Sequence, residues 1–273
     1  MLASFSAGML KLYKRPAAWG LLLVALVLSQ IFNYLVPYAG YLSADNERAA
    51  EQILASTMPE YLISNSIGGF PLFAGALALT LGVLSVGSEY SFGTLKTMLI
   101  QRPRRLTFFA GELLVLAVAV LAIVLSIFAL GALTSYTIAT RLSNSIAWPS
   151  LSELARGVAS GWLILMTWCL LGAMLAFLFK GMAMPIGLGV VWILGIENLI
   201  VNVAAALLDF ADTLQVGLPG VNAGSLVSAL GGRSDAPGVN TAVDGTQATI
   251  VLVAYAVVFV LIASVALQRR DVT

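Results

Sequence analysis

Residues 87–106, GSEYSFGTLKTMLIQRPRRL, form the only long charge-bearing segment held between two apolar helix candidates. Phe92, Leu95 and Leu99 recur at helical spacing with Met98 beside them, while Lys96, Thr97 and Gln101 fall on the other side. That is the pattern of a short amphipathic helix, which Ser91 can cap and Pro103 stops. Arg102, Arg104 and Arg105 then anchor the following span at the level of the headgroups. A basic loop that only satisfies membrane topology would account for the arginines. It would not account for the apolar stripe, or for the acidic Glu89 just before it. An amphipathic helix displayed beside a bilayer either lies on lipid or docks into a groove on another protein.

Working outward, the composition sets the class. Of 273 residues, 60% are hydrophobic and only 10% charged, and the mean hydropathy is +0.97. These values lie outside the range of soluble domains, and apolar runs of about twenty residues predict an all-α polytopic membrane protein. There is no histidine, and the one cysteine, Cys169, sits inside an apolar run. Disulfides, histidine-centred catalysis and the common zinc sites are therefore excluded. The start of the chain lacks a short apolar region ending in a small-residue cleavage site, so no removed signal peptide is predicted.

Six spans are predicted, at about 17–38, 67–86, 107–136, 154–179, 182–208 and 249–267, all within one transmembrane domain. Residues 1–16 precede them as an interfacial helix, with Leu2, Phe5, Met9, Leu12 and Tyr13 on its apolar face and Ser4, Ser6, Lys11 and Lys14 opposite. Pro16 is suited to start the first span, and Trp19 and Tyr38 fall where interfacial aromatic belts lie. Residues 39–66 and 137–154 read as external loops. The third span is longer than the ~20 residues a crossing needs, which implies tilt or projection. Gly157 and Gly161 make a GxxxG pair, which either marks a helix contact or arises by chance in a glycine-rich chain. Lys180 and Gly181 form a minimal turn. Residues 209–247 are external, and their early part, LPGVNAGSLVSAL, is apolar enough to dip into the outer leaflet.

Charge placement gives the orientation. With both termini inside, 10 of the 14 basic residues are cytoplasmic, and only Arg48, Arg141, Arg156 and Arg233 are external. The positive-inside rule and an even number of spans agree on this arrangement. Glu197 lies about 15 residues into the fifth span, roughly 22 Å along a helix. A charge there must face protein, water or a partner. With Asn198 and Asn202 close along the same helix, it marks either a polar spot on a substrate path or gate, or a carboxyl bonded across helices. Glu112, at the start of the third span, is placed to pair with Arg104 or Arg105.

With these residues in view, the stretch at 87–106 resembles the membrane subunits of type-2 ATP-binding-cassette exporters, the permease class that includes bacitracin-type antibiotic-resistance transporters. Those subunits carry an acidic residue a few positions before a Gly-Thr-Leu, then a proline and a basic residue that open the next span. The matching positions are Glu89, Gly93, Thr94, Leu95, Pro103 and Arg105. The layout also matches: a basic interfacial helix, six spans, a proline-bearing segment before the last of them, and a closing Arg269-Arg270-Asp271.

The resemblance implies a transport subunit, not an enzyme. Two permease chains, identical or different, would form the path for export of an apolar or amphipathic substrate such as an antibiotic, peptide, lipid or drug. Each would dock on an ATP-binding-cassette ATPase subunit that holds the ATP and Mg, since this chain has no GxxxxGK[ST] loop. Residues 87–106 would be the coupling segment, with Glu89, Phe92, Gly93, Thr94, Leu95, Leu99 and Arg105 as its coupling residues. The expected location is the plasma (inner) membrane of a prokaryote, with both termini cytoplasmic and no cofactor, metal or nucleic acid on this chain. The competing reading is a self-sufficient channel, secondary carrier or lipid scramblase. Secondary carriers commonly show paired repeats and broken helices, and no repeat between the two halves is visible.

Overall fold

Proline and glycine decide where the apolar runs of this chain begin and where they break. The computed structural model describes all residues except 1, 45, 94–104, 143–145, 198–199, 201–214, 234–235 and 270–273. Helix α1, Leu2–Tyr13, ends two residues before Pro16, the turn residue Lys14 and the extended Arg15, and Pro16 opens α2, Pro16–Gln30. The Trp19 indole donates to the Tyr13 carbonyl at 2.7 Å and so fixes the corner. A π-turn, Ile31–Leu35, carries α2 into α3, Val36–Leu42. Pro37 has no N–H for the Asn33 carbonyl, and the Val36 N–H reaches back five residues to Ile31, the wider repeat of a π-turn.

Asn46 caps α4, Glu47–Ala55, accepting from the Ala49 N–H at 2.7 Å. The second apolar run then begins at Pro59, not near residue 67 as the sequence predicts. A 3-10 turn at Pro59–Tyr61 leads into α5, Leu62–Ile67, a second π-turn at Phe70–Ala74, and α6, Gly75–Ser91. The difference has a packing cause. Leu62, Asn65, Ser66 and Ile67 are buried, and a methyl group on Gly131 of the third long helix would lie 3.2 Å from Leu62 and 3.4 Å from Ser66. Residues 59–66 thus belong to the bundle and not to the loop predicted over 39–66.

The third long helix, α7, runs over Arg105–Arg141. Its 37 residues span about 55 Å, longer than the thirty or so predicted. Helix α8, Leu151–Phe179, starts with a reciprocal capping box between Ser150 and Glu153 and ends at Lys180, whose left-handed φ of 54° makes the predicted turn. Helix α9, Ala183–Val191, continues through a third π-turn, Trp192–Ile196. Helix α10 is Pro219–Ala229, and α11 is Gly245–Arg269. Asp244 accepts from the Thr246 and Gln247 N–H groups at 2.8 and 2.9 Å, which caps α11.

The protein is all-helical among the described residues, with no strand. Among the described residues, five helical runs are long and apolar enough to cross a membrane: Pro16–Leu42, Pro59–Ser91, Arg105–Arg141, Leu151–Phe179 and Gly245–Arg269. In place of the span predicted at 182–208 there is a shorter apolar run, Ala183–Ile196, and the positions beyond it lie mostly outside the described residues. The segment predicted to dip is α10, and Val221 through Val227 on it are all buried. Asn240 holds it, accepting from Ser225 Oγ at 2.6 Å and donating to the Val221 carbonyl at 3.2 Å.

The centre of the bundle is the crossing of α6 and α8. Any side chain at Gly82 would overlap the Cys169 carbonyl, and any at Gly172 would overlap that of Leu79. Backbones touch there because neither glycine carries a Cβ, the close approach that small residues permit between membrane helices. Gly157 and Gly161, the predicted GxxxG pair, do mark a contact, against Ile63 and Phe70 respectively. Trp168, Phe70, Phe177 and Leu79 fill the space around the crossing. Gly172→Ala is expected to destabilise the purified protein by at least about 1–3 kcal/mol through overpacking. Gly187→Ala meets nothing within 4 Å and is expected to leave the thermal unfolding midpoint in detergent unchanged.

Candidate functional site

The side chains that hold the two ends of the charge-bearing stretch at 87–106 lie at one end of the bundle. On α1, Ser4, Gly8 and Lys11 repeat at intervals of four and three, which places them on one stripe, and Arg15 follows in the extended link to α2. Of the predicted apolar face, Leu12 packs against the core and Tyr13 is exposed. Ser4 and Gly8 on the stripe are buried against the bundle. The cause is steric. A methyl group on Gly111 of α7 would lie 2.6 Å from Ser4 Cβ, and one on Gly8 would lie 2.8 Å from Val115, so two glycines let the helices meet.

The stripe and the link that follows it deliver Lys11 and Arg15 to Glu89, near the last turn of α6. Lys11 Nζ donates to Glu89 Oε1 at 2.5 Å, and Arg15 Nη2 lies 3.4 Å from the same oxygen. Arg15 Nη1 also donates to the Leu84 carbonyl at 2.8 Å. Cations are favoured at a helix C-terminus, and here they also neutralise a carboxylate that is only 3% exposed. Glu112 on α7 is buried in the same junction and accepts a hydrogen bond from Ser85 Oγ. It is therefore engaged with α6. Of its two predicted partners, Arg105 donates to the carbonyls of Leu267 and Gln268 at 2.9 and 3.3 Å, and Arg104 lies outside the described residues.

Of the predicted coupling residues, Glu89 faces inward. Phe92 is 70% exposed, and Gly93 is exposed with a left-handed φ of 66°, a conformation that glycine reaches without strain. Thr94, Leu95 and Leu99 lie outside the described residues. So the structure anchors both edges of 94–104, the leading edge through Glu89 to α1 and the trailing edge through Arg105 to the end of α11. Lys11 and Arg15 were not singled out from the sequence as partners of Glu89. The signal was the place of Lys11 on the face shared with Ser4 and Gly8, with Arg15 four residues beyond it.

Glu197 occupies a second buried polar site. The π-turn before it stacks residues five apart, so the Trp192 indole donates to Glu197 Oε1 at 2.7 Å. The Gly220 N–H, in the first turn of α10, also donates to the carboxylate, and any side chain at Gly220 would overlap Glu197 Oε2. A carboxylate thus satisfies an otherwise unpaired N–H of a buried helix start. Glu197 is thus bonded both to Trp192 of its own run and to the start of α10. Asn198 and Asn202 lie outside the described residues.

A third feature is a cavity of about 680 Å³ between α2–α3, α4, the α5–α6 run and Arg233, Ala236 and Pro237. Two of the π-turns border it. Phe32 and Asn33 come from one and Phe70 and Phe73 from the other, with Phe32 and Phe73 stacked at 6.1 Å between centroids. The break in the second span is announced by Gly68-Gly69-Phe70-Pro71, a signal present in the sequence. Among the described residues, no three His, Cys, Asp or Glu side chains come together as they would around a metal ion.

The family model described as "Protein of unknown function (DUF2705)" matches residues 21–273. The chain belongs to that family. No curated protein and no solved structure matches it. The DUF2705 match takes in Glu89, Arg105, Glu197 and every wall of the cavity, and it begins beyond Lys11 and Arg15.

Two predictions follow from these contacts. Lys11→Met with Arg15→Met strands the buried Glu89 carboxylate and is expected to cost about 3–5 kcal/mol, read as a lowered unfolding midpoint. Adding Glu89→Leu is expected to recover most of that loss. At the second site, Gly220→Ala is expected to lower the midpoint more than Glu197→Gln, because the amide oxygen of Gln can still accept from Trp192.

Proposed function

We propose that this chain is the permease subunit of an ATP-driven exporter. In this reading it crosses the plasma (inner) membrane of a prokaryote six times with both termini in the cytoplasm. The fifth crossing is the one predicted at 182–208, of which Ala183–Ile196 is the described apolar part. Two permease chains form the path for an apolar or amphipathic substrate, and a separate ATPase subunit docks on residues 87–106.

The observation that carries the reading is the double anchoring of that stretch. A short segment can act as a lever only if its two ends are fixed to the parts it must move. Here the leading end is fixed by Glu89 to Lys11 and Arg15, and the trailing end by Arg105 to the carbonyls of Leu267 and Gln268. A push on 94–104 is therefore transmitted to α1, α6, α7 and α11 together. Closure of an ATPase pair on nucleotide supplies such a push, because ATP favours the closed state. In this scheme Phe92, Leu95 and Leu99 are the docking anchors, while Glu89 and Arg105 hold the lever in place from behind.

The second reading, a carrier that works without an ATPase, has one observation in its favour. The first two spans both break at π-turns, and the breaks border a common cavity, as the discontinuous helices of secondary transporters do. Purification of the tagged chain from its native membranes separates the two readings. The permease reading expects an ATPase subunit to copurify. It also expects Leu95→Asp to leave the protein inserted and folded while ATP hydrolysis by the complex no longer drives export. An active chain isolated alone, or normal export by Leu95→Asp, would favour the carrier.

A further inference from the structure

We infer that the first three long runs together bind a water molecule beside Gly131 of α7, held by Gln30, Tyr34 and Ser66. The site is formed by this chain alone and does not depend on an ATPase partner.

Three buried polar atoms point to it. Tyr34 is 2% exposed and Ser66 3%, and neither Tyr34 Oη nor Ser66 Oγ has a hydrogen-bond partner among the described residues. Gln30 Nε2 is likewise buried and unpaired. The two hydroxyls face one point, since a methyl group on Gly131 would lie 2.9 Å from Tyr34 Oη and 3.4 Å from Ser66 Oγ. Gln30 stands one turn before Tyr34, and its Oε1 accepts from Thr134 Oγ1 at 2.6 Å. Thr134 follows Gly131 by three residues on the same face of α7. Asn65 adds a polar side chain beside Tyr34, its own amide being bonded to the Ser56 carbonyl at 2.8 Å.

A buried hydroxyl without a partner has given up its hydration for nothing. Native interiors resolve such cases with water, which makes about three hydrogen bonds to groups that lack partners. Both hydroxyls can donate or accept, and Gln30 Nε2 can donate, so one molecule that does both can serve all three. Size and chemistry admit little else. Leu62 closes the same point, 3.2 Å from the methyl position on Gly131, and an apolar occupant would leave every one of the three atoms unpaired. Glycine at 131 leaves room that any side chain would take.

Water is also at hand. Gly131 lies about 39 Å along α7 from Arg105, more than the ~30 Å of hydrocarbon in a bilayer. With Arg105 at one headgroup layer, the site falls near the other. The bridge would tie both broken runs to the unbroken one, since Tyr34 stands in the first π-turn, Ser66 just before the second, and Gly131 on α7.

The test is pulsed hydroxyl-radical labelling of the full chain in nanodiscs, without ATP or any partner. X-ray pulses split bound water into radicals that oxidise the side chains beside it. Tyr34 is expected to be oxidised although it is buried, while Phe177, also 2% exposed, is not. Ser66→Ala is expected to lose most of the Tyr34 label. Tyr34→Phe and Ser66→Ala are each expected to lower the folded-to-unfolded ratio by about tenfold. The double variant is expected to lower it by less than the product of the two, because both changes disturb one molecule. In a dry site the same changes would only remove unpaired hydroxyls, and the ratio would stay or rise. Tyr34 labelled no more than Phe177, single variants at least as stable as wild type, or a double variant that loses the full product would overturn the inference. The labelling uses the wild-type chain, so it decides the matter even where a variant fails to fold. Failure of ATPase copurification would bear only on the permease reading.

Discussion

The carboxylate of Glu89 is the constraint on which this end of the molecule depends. Placed among apolar helices it could not remain charged alone, and burial of an isolated ion is costly enough to reshape whatever lies around it. Two cations, Lys11 on α1 and Arg15 in the link that follows it, resolve the conflict, and in doing so they fix where α1 must lie. The helix then turns Ser4 and Gly8 inward and leaves Leu10 and Tyr13 exposed. In water that arrangement would be inverted, but beside a bilayer both faces find suitable neighbours.

Glycine does for the interior what the ion pair does for the end. At Gly82 and Gly172 the two central helices meet backbone to backbone, and no larger residue could occupy either position without separating them. Lipid offers no hydrophobic driving force between helices, so contact of this kind is what holds them. The three π-turns are the counterpart of that tightness. Each shifts the register of its helix by one residue, and two of them leave space between the first two spans instead of filling it.

Much of the architecture was legible in the sequence because long apolar runs and their boundaries are one-dimensional signals. The first, third, fourth and last runs fall close to where hydropathy puts them, and Pro16 and Lys180 act at the boundaries as their chemistry requires. The start of the second run was not legible. Leu62 to Ile67 includes two serines and an asparagine and reads as loop until Gly131 is seen packed against it. The partnership of Glu89 with Lys11 and Arg15 was equally hidden, because a pairing across more than seventy residues leaves no local pattern. Pro71 carried a warning of the break in the second span, but nothing in its surroundings said that the first span breaks opposite it.

The seat of α1 has a consequence for biogenesis. The residues that receive this helix, Glu89 on α6 and Gly111 on α7, are made many tens of residues after it. It must wait through the threading of two crossings before its dock exists. Leu10 and Tyr13, which stay exposed even after docking, give it a hold on the membrane surface in the meantime. A segment made before α6 and α7 is thus settled only after them, and it does so by closing over helices that were inserted after it.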